Sequence, residues 1–134
     1  MSVQYTIDVD KRLIMVRFDG EVSDRQFVAS ASAICSDARY GRGFDGLIDV
    51  TGVEIDVNRE DIKRLVDYTL SKRKHGHGKW AVLVSSPAAT AYTMMYQQGV
   101  APEHPFAVFC SWEGASGFLG IEMDEGAFKA ALAA

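Results

Sequence analysis

Hydrophobic and polar positions alternate from the start of the chain, where Val3, Tyr5, Ile7 and Val9 interleave with Gln4, Thr6 and Asp8. A period of two with one polar side predicts a strand at the edge of a sheet. Asp10, Lys11 and Arg12 form a polar turn, and the nearly continuous apolar run from Leu13 to Phe18 predicts a more buried strand paired with the first as a hairpin. The period then changes. Ser23 and Gln26 stand at capping-box spacing, and Phe27, Ala31, Ile34, Cys35 and Ala38 recur at helical intervals to about Arg39. Gly41 and Gly43 interrupt the chain before a third strand over Leu47 to Val50. Asn58 caps a second helix with Glu60 and Asp61 in its first turn, an inner stripe of Ile62, Leu65, Val66, Thr69 and Leu70, and a basic end from Lys72 to His75. Trp80 to Val84 reads as a fourth strand. Ser86 and Pro87 open a third helix that ends near Gly99. Pro105 to Cys110 reads as a fifth strand, and Ser111 caps a fourth helix closed by Gly120. The tail has the pattern of a weak last helix packed by Phe128 and Leu132.

The order ββαβαβαβα implies an α/β fold with a mixed sheet of about five strands, mostly parallel with an antiparallel edge from the hairpin. At 134 residues and 48% hydrophobic, the chain suits one domain, 1–134, with a real core. A net charge of −4 argues against a nucleic-acid partner, because phosphate binding wants a basic face. No apolar run reaches the roughly 18 residues of a membrane span, and the first residues lack the pattern of a signal peptide. Cys35 and Cys110 are expected to be buried, reduced thiols of a cytoplasmic protein.

Several segments together resemble the STAS-type fold of anti-sigma-factor antagonists, and more specifically their SpoIIAA-like bacterial relatives. These are a hydrophobic strand closing in FDGEVS, the strand LIDV, the stretch PAATAYTMMYQ, and the ending PFAVFCSWEGASGFLG. The likeness covers roughly residues 5 to 121 and implies a regulatory or protein-interaction module. Signalling members carry a phosphorylatable serine after the third strand in a pattern close to D-S-S-G. Here the matching residues are Asp56, Val57, Asn58 and Arg59, so the aspartate is kept and the serine is missing. The resemblance therefore implies the fold without the switch. A more distant likeness to lipid-exchange domains of the CRAL-TRIO type implies a carrier of an apolar ligand.

Candidate chemistry is sparse. Asp49, a charge between Ile48 and Val50, is expected at the end of a central strand, where it either lines a site or bonds loop amides. Asn58, Ser85 and Ser86 place two helix N-termini near one sheet edge, which suits either an anion or plain capping. Tyr92, Met95 and Tyr96 form one stripe of the third helix, with Met94 off it, so this helix has more apolar surface than one core contact needs. Trp112 either caps the core or rims a pocket. His75 and His77 make a poor metal set, His104 reads as a loop residue, and no metal or cofactor is expected. No nucleophile elbow, phosphate loop or catalytic triad order is present.

Two functions follow first: a non-enzymatic STAS-like module acting as a homodimer or on a regulatory partner, and a carrier of a small apolar ligand or lipid. In the carrier reading Tyr92, Met95, Tyr96 and Trp112 would line the pocket, with peripheral membrane contact as a variant. A phosphorylation-controlled regulator would have to use Thr51, Ser85 or Ser86 instead of the missing serine.

Overall fold

The opening hairpin pairs β1 (Ser2–Asp8) with β2 (Leu13–Val22) in antiparallel register, Ser2 opposite Asp19 and Asp8 opposite Leu13. Its turn holds Arg12 at φ 53°, the only positive φ outside glycine among the described residues. The computed structural model describes residues 2–55, 57–71, 78–101 and 104–134. From β2 onward every neighbour is parallel: β3 (Asp45–Ile55), β4 (Trp80–Leu83) and β5 (Phe106–Phe109) add in turn, giving the strand order β1-β2-β3-β4-β5. The helices α1 (Asp24–Ser36), α2 (Arg59–Ser71) and α3 (Pro87–Val100) make the crossovers. The chain is thus an α/β fold on a mixed five-stranded sheet, as the pattern of periods predicts.

Because the strands add in sequence order, all three crossovers run the same way, and right-handed connections put all three helices on one face. The alternation of side chains bears this out. Ile14, Val16, Val50, Val82 and Val84 pack with Ile34 and Ala89 of the crossover helices. Leu13, Met15, Leu47, Ala81 and Leu83 point the other way, to α4 (Trp112–Leu119) and α5 (Glu125–Ala133). The tail is therefore a real helix, anchored by the fully buried Phe128. Gly120, at φ 70°, ends α4 in the left-handed conformation that glycine adopts without cost.

Helix ends follow the expected caps. The hydroxyls of Ser86, Ser111 and the carboxylate of Asp124 accept from the amides of Ala89, Gly114 and Ala127. Ser23 and Gln26 form the capping box of α1. Two expectations need correction. β3 is longer than Leu47–Val50, so Asp49 lies within the strand and not at its end. Cys110 is exposed and Cys35 half-buried, not both in the core; both are free thiols. The expected basic end of α2, Lys72 to His75, and also His77 and Asp56 lie outside the described residues. Among the described residues no helix is long and apolar enough to cross a membrane.

Candidate functional site

A sheet whose strand order never reverses has no switch-point crevice at its carboxyl ends. Such a crevice is the usual address for a site in an α/β protein. A cavity of about 180 Å³ lies between the sheet and the crossover helices. Its floor is Val16, Ile48, Val50 and Val82, all from the same face of the sheet, and its roof comes from α1, α2 and α3. The cause can be read in α1. The side chains it turns toward the sheet between Phe27 and Ile34 include Ser30 and Ala31, and Ile34 is its only fully buried residue. Small side chains on one wall leave the gap. Ile48 records it: in the middle of a central strand it stays half-exposed, because its side chain faces the cavity.

The two ends of the cavity differ. Toward the carboxyl ends of the strands it is lined by Phe18, Phe27, Ile55, Val57 and Ile62, which are all apolar. Toward the amino ends it meets Cys35, Tyr40, Thr69, Tyr96, Trp80 and His104. The hydroxyls of Thr69 and Tyr96 share a hydrogen bond of 2.7 Å across α2 and α3. Burial pushes the Tyr96 phenol up to about 12, against the smaller opposing pull of that bond. Burial, then the neighbouring Cys35, also raises Tyr40. His104, only 6% exposed, sits in the bend before β5 with its ring 6.1 Å from Trp80 and 5.5 Å from Phe106. It is a loop residue as expected, but a buried one.

Trp80 opens β4 beside Gly46 of β3. Its six-membered ring lies directly over Gly46, where any Cβ would collide with Cδ2, Cε3 and Cζ3. Glycine is needed there for the ring to approach the backbone. With that edge against β3, the pyrrole edge is turned away from it. The indole Nε1 is buried, and no hydrogen-bond partner meets it among the described residues.

Of the residues singled out from the sequence, Tyr92 and Tyr96 line the cavity. Met95 is half-buried beside them but does not line it, and Met94 is 46% exposed on the outside of α3. Trp112 is on the opposite face of the sheet, its ring 5.0 Å from that of Phe128. It therefore cannot rim a pocket formed with Tyr92 and Tyr96.

Asp49 is 3% exposed and has a local task. The β2–β3 register slips between Arg17 and Asp19, where β3 carries the extra residue of a bulge. The carboxylate of Asp49 accepts from the Thr51 amide at 2.9 Å and the Thr51 hydroxyl at 2.6 Å, supplying the acceptor that a bulge takes from the ladder. Ser85 donates to the carbonyl of Thr51 at 3.0 Å, and Ser86 caps α3. Asn58 and Asp61 exchange reciprocal bonds of 2.9 Å at the start of α2. All of these polar groups are engaged, at the bulge of β3 or at the starts of α2 and α3.

Trp80, Thr69, Cys35, Tyr40 and His104 were not singled out as a site from the sequence. Of these only Trp80 carries a strand signal: it begins β4 on the face shared with Val82 and, in β5, with Phe106 and Val108. Among the described residues no group of His, Cys, Asp and Glu could hold a metal ion. Compared with known proteins, the chain matches no family model and no curated protein.

Proposed function

We propose that this protein binds a small apolar molecule in the cavity between the sheet and α1–α3, and acts as a carrier for it. The supporting observation is the cavity itself. An apolar cavity of about 150 Å³ is enough to hold benzene, and this one is about 180 Å³. The size favours a ring or short chain over a two-chain lipid, since pockets for larger ligands run to about 300–1,000 Å³. The fold agrees with the STAS-like architecture that the sequence resembles, and two free thiols fit a reducing compartment such as the cytoplasm.

Native mass spectrometry of the freshly purified protein tests this reading, together with thermal shifts against benzene, cyclohexanone and short fatty acids. A bound adduct, or a saturable rise in Tm of the kind a ligand at 100 times its Kd gives (about 2.7 kcal/mol), is expected. Protein that is clean of adducts and unmoved by the whole panel would refute it.

A second reading, a module that docks a second copy or a regulatory partner, has one observation of its own. Met94 stands exposed on α3 beside the unpaired side of the short edge strand β5. Sedimentation of the full chain decides it, because a strict monomer without a partner has no use for that edge.

A further inference from the structure

The outer edge of the sheet at β5 can be given a partner, on the reading that the chain docks a second copy and independently of the cavity. We infer that two copies join through β5, antiparallel about a two-fold axis at Ala107, into one continuous sheet. The first ground is charge. No residue from Trp80 to Ala101, or from Pro105 to Trp112, is charged, in a chain that is 24% charged. These segments form β4, α3 and β5. On α2 the exposed positions include Arg59, Glu60, Lys63, Arg64 and Asp67, as a solvated helix face requires. On α3 they include Pro87, Ala91, Met94 and Gln98. Loss of charge with Met and aromatic side chains kept is the composition of an interface centre. Thr90, Met94 and Gln97 of α3 turn to the free side of β5 and form a groove with Val108, Phe109 and Cys110.

The second ground is the strand itself. The carbonyls of Pro105 and Phe109 accept from the amides of Trp80 and Val84. Alternation along β5 then turns the N–H and C=O of Phe106 and Val108 away from β4, to the open edge. Against a second, antiparallel β5, Phe106 lies opposite Val108 of the other copy. Each such pair exchanges both of its hydrogen bonds, so every free group of the strand is matched. Ala107 then faces its own counterpart on the axis, in the narrow kind of pair with Cα atoms about 4.5 Å apart. It is the smallest side chain of β5 and stands where the backbones come closest. Phe106 beside Val108 is an aromatic and β-branched pair, which favours the pairing further.

A second copy fits this edge better than a different partner does. The strand is its own complement under a two-fold axis, as an isologous contact must be. With a net charge of −4, two copies repel where their acidic surfaces meet, and the uncharged edge lets them approach. A partner selected by charge would find nothing there to pair with. The same axis sets the two α3 helices on one face of the joined sheet, where each groove is covered by the other copy.

Sedimentation of the full chain at about 0.1 mM, with hydrogen exchange read at each amide, tests the inference. A dimer is expected. The Phe106 and Val108 amides should be protected in it and should exchange on dilution, while the Ala107 amide, turned to β4, stays protected throughout. Met94→Lys puts two like charges near the axis and should weaken the dimer about ten-fold or more. Val108→Pro removes an outward N–H without touching the bonds to β4, and should give a monomer. Val9→Lys, a charge at an exposed apolar residue far from β5, should leave the dimer intact. A strict monomer would overturn both the β5 contact and the docking of a second copy. A dimer that ignores Met94→Lys and leaves the Phe106 and Val108 amides exchanging freely would overturn the β5 contact alone. The exchange is read in the unaltered protein, so the outcome does not depend on how well Val108→Pro folds.

Discussion

Filling the cavity from α1 should make the protein more stable and less able to bind. Ala31 is half-buried and its side chain lines the cavity. Ala31→Leu adds three methylene-sized groups on the side of α1 that faces the sheet. At about 0.8 kcal/mol for each buried group the gain is about 2.4 kcal/mol. Holding the leucine in one rotamer costs about 0.5–1 kcal/mol, and helix propensity changes little. The net expectation is about 1.5 kcal/mol, or roughly 5 °C in Tm for a chain of this length. Guanidinium unfolding measures it: the midpoint should rise with an unchanged slope, which separates a stability gain from a change in the unfolded state. Binding of cyclohexanone should weaken in the same variant. Ala33→Leu, the same change on the exposed side of α1, is the control and should stay within about 0.5 kcal/mol. A loss of 1 kcal/mol or more in Ala31→Leu is the cost of overpacking. It would mean that α1 already closes on the sheet, and the reasoning from the cavity would be refuted.

Three further outcomes can be checked. Asp49→Ala should cost about 1–3 kcal/mol in urea unfolding, because it strands the Thr51 amide at the bulge, and it should leave cyclohexanone binding unchanged, since Asp49 does not line the cavity. The Tyr96 phenol is raised from 10.0 to about 12 by burial. The unfolded chain therefore loses this proton first, so the stability it confers is complete below pH 10 and falls away as pH rises toward 12. The loss is on the order of 3 kcal/mol. Tyr96→Phe should flatten that part of the alkaline unfolding curve, and an unchanged slope would count against a buried phenol. Gly46→Ala should push the Trp80 ring off β3, costing about 1–3 kcal/mol with a red shift in tryptophan fluorescence and weaker binding.

The fold was legible because its signals are local. Alternation in Val3 to Val9, helical spacing from Phe27 to Ala38, and the caps Ser23, Ser86 and Ser111 each depend on neighbours within a few residues, and the elements formed close to those positions. Asp49 was misplaced for a reason that local pattern cannot supply. A charge inside an apolar run looks like a strand end, and only pairing with β2 reveals a bulge that the carboxylate completes. Trp112 was set beside Tyr92 and Tyr96 because all three are aromatic and follow strands. Which face of the sheet each reaches depends on α4 coming after the last strand, whereas α3 is a crossover. The cavity was least legible of all. It is a deficit of volume among residues from four strands and three helices, and no window of sequence carries that.

The two faces of the sheet show what kind of deficit it is. On the α4–α5 side, Trp112, Phe118 and Phe128 fill the space with rings, and Phe128 is fully buried. On the other side three helices cover the sheet, yet Ser30, Ala31, Thr69 and Thr93 face the gap where larger apolar side chains would close it. A packing defect would be apolar throughout, since lining it with hydroxyls brings desolvation without repair. Here the polar groups Thr69, Tyr96 and Trp80 gather at one end, and hydrocarbon lines the other. An arrangement graded from polar to hydrocarbon suits a molecule with the same two ends, as the proposed carrier role requires. That grading, more than the volume, is the reason to read the cavity as a site.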